Sequence, residues 1–515
     1  MAVTEERRPH PVAPGSAPSD SGQGSDEASR ALDRTLARGV AWLGVMRTFA
    51  QVVTWSSTIL VARLLHADDY GIVSIAAIFV GIPGFFTEFG VARTIVLSRI
   101  RDETTVAQLH ALCIGIGAAF ALLLAAGAVP LARAYGEPRL AAVVLALALS
   151  PLAGGLAAVP QMRLQQAMDY RRIAALELVR SLSQTGTVLG LALAGVRYWA
   201  LPAGILVASL VHMIASVRFG WLRPRRPEAG TLRAPLAYAR HVIAGPLLWH
   251  VACHADFAVI GRVLDIAAVG FYQFAWNFAS LPGEKITNVV QGAASPFFGS
   301  IGDDHAALRR YLLVVTESLA VIIVPVLAGF MCVAPDMIPV VFGAKWVPAV
   351  LPLQVLVAYA LVQNLVVILN LVAGAAGLAR LGTITGSVLV VVMPLLFWGA
   401  ARWHGIVGVA AVWALVQPLL LVVPLLAARR RLGLAVRDYV GALRGPMIAA
   451  AVMVVAVAAV AWAMRGAPPV LRLVATIATG AAVYPAVLWV GFQDRLRALR
   501  TVWAAGRGSP ALATA

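Results

Sequence analysis

One segment of the chain gathers polar side chains at a helical spacing. Gln273, Asn277, Ser280, Glu284, Asn288, Gln291 and Ser295 advance by four, three, four, four, three and four residues, which holds them on one face of a helix. Pro282 lies inside this stripe and kinks its helix, and Lys285 adjoins it. Amides both donate and accept hydrogen bonds, and an ammonium pairs with phosphate or carboxylate oxygens. A face this polar lines water or a polar substrate; its other use is to hold neighbouring helices together by hydrogen bonds. A shorter stripe runs Arg47, Gln51, Thr54, Thr58. Glu88, Asp256 and Glu317 are carboxylates within otherwise apolar segments and are the candidates for ion coupling, with Glu88 also a candidate partner for Arg47. Asp256 follows His250 and His254, and its expected partners are Arg262 or a cation. Asn364 and Asn370 add further donors and acceptors, whereas Glu177 and Arg180 are spaced to form an internal ion pair.

This chemistry is binding rather than catalysis. The chain has no Walker A, GxSxG or HExxH motif, and Cys113, Cys253 and Cys332 lack metal-ligand spacing. No loop is long enough to build an active-site domain. The reading is therefore not an enzyme, with no cofactor and no metal.

The elements that position these groups follow from composition. Hydrophobic residues make up 60% of the 515 residues and charged residues 13%, about half the charge of a soluble domain (~25%). The fold class is an all-α polytopic membrane protein. Cutting at charge clusters and turn signals yields about fourteen transmembrane helices, spanning 38–65, 69–98, 105–132, 139–163, 173–195, 198–221, 236–263, 267–298, 309–333, 346–376, 379–402, 405–428, 438–464 and 469–492. Residues 1–34 read as a disordered cytoplasmic tail, 35–222 as an N-lobe, 223–435 as a C-lobe, 436–492 as two additional helices and 493–515 as a second cytoplasmic tail. Arg47 falls about nine residues inside the first helix, roughly 14 Å deep at ~1.5 Å per residue.

Charge placement orients this set. The net charge is +17. With the N-terminus inside, the cytoplasmic connections hold Arg99 and Arg101, Arg171 and Arg172, Arg223 to Arg226, Arg309 and Arg310, and Arg429 to Arg431, while the opposite connections hold few basic residues. This positive-inside pattern predicts that both termini are cytoplasmic and accounts for the basic excess without nucleic acid.

The chain also resembles itself. At a spacing of 199 residues, Arg63, Leu65, Gly71, Ala76, Phe79, Pro83 and Gly84 recur as Arg262, Leu264, Gly270, Ala275, Phe278, Pro282 and Gly283. The repeat maps the first two helices onto the seventh and eighth. An even number of crossings lies between, so the copies are parallel, which predicts two pseudo-symmetric six-helix lobes plus two C-terminal helices. Parallel repeats of this kind are a transporter architecture.

Four segments carry a family resemblance: LVARLLHADDYGIVSIA at 60–76, RLQQAMDYRRIAALE at 163–177, ADFAVIGRVLDIAAVGFYQFAWNFASLP at 255–282 and FGAKWVPA at 342–349. In that order they resemble the Wzx-type bacterial polysaccharide flippases of the multidrug/oligosaccharidyl-lipid/polysaccharide exporter superfamily. The resemblance implies a central cavity between two lobes, worked by alternating access. It implies movement of an undecaprenyl-pyrophosphate-linked oligosaccharide from the inner to the outer leaflet of the bacterial plasma membrane, for exopolysaccharide or surface polysaccharide assembly. The expected partners are that lipid, the bilayer, a polysaccharide polymerase and glycosyltransferases, and a monomer is enough for alternating access. The cavity residues expected to meet substrate are Arg47, Gln51, Asn277, Glu284, Lys285, Asn288 and Gln291, with Arg47 and Lys285 pairing with phosphate. The alternatives are a drug or small-molecule exporter of the same superfamily, or a membrane component of glycan assembly that transports nothing.

Overall fold

In hydrocarbon every backbone N–H and C=O must be satisfied within its own segment, so apolar runs of this length fold as helices. The computed structural model describes residues 56–301, 304–378 and 380–493, and these form helices and turns with no strand. In chain order the helices are α1 (56–64), α2 (Ala67–Leu97), α3 (Glu103–Tyr135), α4 (Pro138–Gln166), α5 (Tyr170–Leu193), α6 (Ala200–Gly220), α7 (Ala229–Val263), α8 (Ile266–Ser300), α9 (His305–Met337) and α10 (Val350–Ala375). Arg380–Leu432 follows, broken into α11 and α12 at Gly405, and then α13 (Val436–Ala463) and α14 (Pro469–Gly491). The break needs glycine, because residue 405 takes φ 58° and ψ −144°, a conformation other residues rarely adopt.

Ten stretches among the described residues are long and apolar enough to cross a membrane, with α11 and α12 counted as one. The polar helices α5 and α8 are not among them. Composition alone therefore misses two helices that carry candidate polar side chains, whereas turn signals and charge clusters find their ends. The chief difference in boundaries is α7, which starts at Ala229 rather than 236 and so adds about two turns at the basic end.

The repeat is visible in detail. Helices α3 and α9 are both 33 residues long. Each starts at an aspartate, Asp102 or Asp304, whose carboxylate accepts two N–H groups of the first turn. The two copies meet where α2 crosses α8. A Cβ at Gly71 would overlap the Ile266 carbonyl, and a Cβ at Gly270 would overlap the Ala67 carbonyl. Gly71 and Gly270, like Ala67 and Ile266, are 199 residues apart, so a single contact is made twice about a pseudo-two-fold axis. Within the lobes, α3 packs on α4 and α4 on α6; correspondingly, α9 packs on α10 and α10 on α12. The additional pair α13 and α14 docks on α9. Tyr484 of α14 donates to the Val321 carbonyl at 2.9 Å, and Arg472 pairs with Asp336.

Candidate functional site

Each lobe holds an open cavity with polar side chains in a partly apolar lining. The N-lobe cavity, about 300 Å³, lies between α2, α4, α5 and α6. Helix α2 supplies Glu88 from a π-helical turn, Thr87–Ala92; such turns interrupt regular helices and frequently mark functional sites. No hydrogen-bond donor among the described residues meets the Glu88 carboxylate, which feels the opposed charges of Arg180 and Glu177 through space. On α5 these two form the expected ion pair, at 3.2 Å. His212 of α6 reaches Gln161 Oε1 of α4 through Nε2 at 3.3 Å, and its buried Nδ1 has no hydrogen-bond partner among the described residues.

The C-lobe cavity, about 450 Å³, lies among α7, α8, α10, α11 and α12. Its polar lining is Trp249, Gln291, Gln363, Asn370, Thr385 and Gln417. The side-chain amide of Gln417 on α12 donates to Gln363 Oε1 on α10, joining the helices that correspond to those joined by His212 and Gln161. Gln161 and Gln363 are 202 residues apart, the same interval as the two capping aspartates. At the Glu88 position the second copy carries Thr287, 199 residues on, whose hydroxyl donates to Asn364 Oδ1. One architecture therefore holds two chemistries, ionic in the N-lobe and neutral amide in the C-lobe.

The expected site residues divide between several places. Arg47 and Gln51 lie outside the described residues, as does the side chain of Asn288. Asn277, Glu284 and Lys285 are exposed on α8, and Gln273 donates to Asn277 Oδ1 at 2.7 Å. Gln291 lines the C-lobe cavity and Glu88 the N-lobe cavity. Glu317 is half-buried on α9 and lines neither.

Asp256 differs from expectation in its partners. It is fully buried and bonds to neither Arg262 nor a histidine. Its carboxylate accepts Tyr272 Oη of α8 at 2.9 Å, Trp413 Nε1 of α12 at 2.9 Å and the Phe257 N–H at 2.7 Å. Three donors offset the desolvation of the carboxylate, and the group ties three helices together inside an aromatic cluster with Trp276 and Tyr359. His250 and His254 stack at 4.1 Å, and His250 lies against Phe85 of α2 at 4.9 Å.

A further feature joins the lobes at the end that carries the α1–α2, α7–α8 and α9–α10 connections. Lys345 Nζ donates to the Arg63 and Leu65 carbonyls at 2.7 and 2.5 Å. In return Arg63 donates to the Val341 and Val340 carbonyls, both at 2.7 Å. Trp346 Nε1 donates to the Ala62 carbonyl at 2.9 Å, and its ring stacks on Phe274 of α8 at 4.2 Å. Each cation sits on the unsatisfied carbonyls that end a helix of the other lobe, where the helix dipole favours positive charge. The segment FGAKWVPA contains half of this clasp, but its role depends on a partner 282 residues away. Beside it a cavity of about 560 Å³ is lined by Asp68, Arg133, Glu137, Arg139, Arg262 and Asp265.

Comparison with known proteins adds a family to this geometry. A family model described as "Polysaccharide biosynthesis protein" matches residues 60–351. The succinoglycan biosynthesis transport protein ExoT of Rhizobium meliloti is 26% identical over 319 residues, covering 61% of this chain and 64% of that one. The lipopolysaccharide biosynthesis protein WzxC of Escherichia coli is 21% identical over 311 residues, covering 59% and 62%. The matches thus span less than two thirds of these relatives. Among solved structures, the lipid II flippase MurJ in an inward closed conformation superposes with a TM-score of 0.71 at 14% identity, over 88% of this chain and 99% of that one. That likeness is one of fold.

Proposed function

Because the chain belongs to the polysaccharide biosynthesis protein family, we propose that it is a flippase for undecaprenyl-pyrophosphate-linked oligosaccharide. It moves the lipid from the inner to the outer leaflet of a bacterial plasma membrane, by alternating access between two six-helix lobes. The observation that carries this reading is the lobe junction. One end is held by hydrogen bonds from two cations to helix ends of the opposite lobe and by the buried Trp346 indole on the Ala62 carbonyl, a small polar junction between the two lobes. The sugar head group would otherwise lose its water contacts in lipid at a cost of several kcal/mol per polar group, and polar side chains replace those contacts while the polyprenyl tail stays in the bilayer.

In this reading the chain crosses the membrane fourteen times, with residues 35–222 and 223–435 as the lobes, 436–492 as an accessory pair and both termini cytoplasmic. The clasp end then faces outward. Arg47 and Lys285 hold the pyrophosphate, and Gln51, Asn277, Glu284, Asn288 and Gln291 meet the head group. Glu88 is the favoured coupling carboxylate, because it faces a cavity and meets no hydrogen-bond donor among the described residues, whereas both oxygens of Asp256 accept hydrogen bonds. Glycosyltransferases supply the substrate and a polymerase consumes it; the chain itself performs no covalent step.

The leaflet location of lipid-linked glycan in a deletion strain tests the assignment. Inner-leaflet accumulation that wild type clears, and that Arg47→Ala/Lys285→Ala does not, is the expected result. Unchanged glycan export in the deletion strain would withdraw the substrate and favour drug export. For coupling, Glu88→Gln in proteoliposomes is expected to abolish the response of transport to an imposed pH gradient; a retained response excludes Glu88.

A further inference from the structure

We propose that the C-lobe cavity is a saccharide subsite, which takes about one or two sugar rings of the lipid-linked glycan against Trp249 and the amides of Gln363 and Gln417. The inference deepens the flippase reading and rests on it. Four observations lead to a carbohydrate rather than to phosphate, lipid or an ion.

The first is size. A volume of about 450 Å³ falls within the ~300–1,000 Å³ of small-molecule sites. The second is charge. Among the described residues none that lines this cavity is charged, so those residues offer a pyrophosphate, a metal ion or a proton no opposite charge. Its polar groups are amides and a hydroxyl, which match the mixed donor and acceptor character of sugar hydroxyls.

The third is an orphaned acceptor. Gln417 is wholly buried. Its amide nitrogen donates to Gln363, but its Oε1 has no hydrogen-bond partner among the described residues. A buried carbonyl left in this state is costly and uncommon. The side chain lines the cavity, and because Oε1 is itself shielded, a ligand O–H satisfies it once the amide turns toward the cavity. The fourth is the aromatic wall. Trp249 is 38% exposed on α7 and presents a flat apolar surface beside the amides. The C–H face of a pyranose ring stacks on such a surface while its equatorial hydroxyls point outward to polar groups.

The N-lobe provides an internal control. Its counterpart cavity is built on the same helix pairs and the same cross-link between the fourth and sixth helices of the lobe, yet it carries Glu88, Glu177, Arg180 and His212. The repeat has thus diverged toward ions in one copy and toward neutral hydrogen bonding in the other. A lipid-linked sugar presents both needs at once.

The test measures binding to the full-length protein in lipid nanodiscs with two probes. One is the undecaprenyl-pyrophosphate-linked oligosaccharide extracted from a host strain lacking this gene; the other is undecaprenyl pyrophosphate without sugar. Wild type is expected to bind the glycosylated lipid more tightly than the bare one. Gln417→Leu, Trp249→Ala and Asn370→Leu should each weaken the glycosylated lipid by about fivefold to tenfold, the scale of one or two net hydrogen bonds, and leave the bare lipid unchanged. Asn370 is exposed, so its variant keeps the test sound if the buried Gln417→Leu fails to fold. Equal wild-type affinity for the two lipids overturns the subsite and leaves the flippase reading standing. Variants that keep the full glycan preference, or that lose both lipids alike, also overturn it. If wild type binds neither lipid, it is the flippase reading that fails.

Discussion

At the scale of single residues, two carboxylates show how surroundings set a role. Asp256 is a structural post, since both of its oxygens accept hydrogen bonds, from Tyr272, Trp413 and the Phe257 N–H. Asp256→Asn puts an NH₂ where one of these donors points, leaving two donors face to face. The expected cost is about 1–3 kcal/mol, read as a lower melting midpoint in detergent with α8 and α12 loosened in hydrogen exchange. An unchanged midpoint would mean that the aromatic packing alone holds this corner. Glu137 lies between α3 and α4, outside the membrane-spanning segments. Hydrogen bonds from the Arg139 side chain, at 2.8 and 2.9 Å, hold its carboxyl below the usual carboxylate range, and it also caps the Arg139 N–H. A depressed carboxylate stabilises the fold above its unfolded value, and that contribution disappears as pH falls through the lower folded value. Glu137→Gln should therefore cost at most about 1 kcal/mol at neutral pH. The gap from wild type should close as acid protonates Glu137; a gap that persists in acid assigns the effect to the cap geometry instead.

At the scale of elements, the crossing of α2 and α8 is the tightest demand the fold makes. Gly71→Ala and Gly270→Ala each place a methyl group against a backbone carbonyl of the other helix. Overpacking of this kind costs about 1–3 kcal/mol, and pseudo-symmetry requires the two variants to behave alike. Spin labels on α2 and α8 should report a longer inter-lobe distance in both; a change in only one would show that the contact is not shared equally. The repeat behind this crossing was legible in the sequence, because the recurring Arg, Gly and Pro-Gly positions mark the two copies, but that the copies touch at these glycines is seen only in the packing. The polar stripe on α8 was also legible, because seven residues at a helical period give a strong signal. The cavities were not. Gln161, His212, Gln363 and Gln417 are isolated polar residues in apolar helices, so no periodicity marks them, and only packing shows that they meet in pairs. For the same reason Gln291 could be placed on a face, but not in a cavity shared with α10 and α12.

At the scale of the whole molecule, alternating access requires the lobes to separate at one end while they close at the other. The structure has the clasp end shut. Its latch is polar and reciprocal: Lys345 reaches the end of α1, and Arg63 reaches residues 340 and 341. Hydrogen bonds to charged groups contribute about 1.5–3 kcal/mol each, and part of that is recovered from water on opening. Lys345→Ala removes two of them and touches neither cavity, so it should shift the closed-to-open ratio by roughly tenfold or more, since ~1.4 kcal/mol is tenfold. A reporter for the shift is Ile266→Cys in a background with Cys113, Cys253 and Cys332 replaced, because Ile266 is buried under the α2 crossing. Membrane-impermeant maleimide added outside whole cells should label this cysteine slowly in the otherwise intact protein and several-fold faster with Lys345→Ala. Arg63→Ala should act in the same direction, and the double variant should fall short of the product of the singles if the two cations form one latch. Labelling that Lys345→Ala leaves unchanged would make the clasp a permanent hinge, and opening would then have to occur at the end where the basic loops lie.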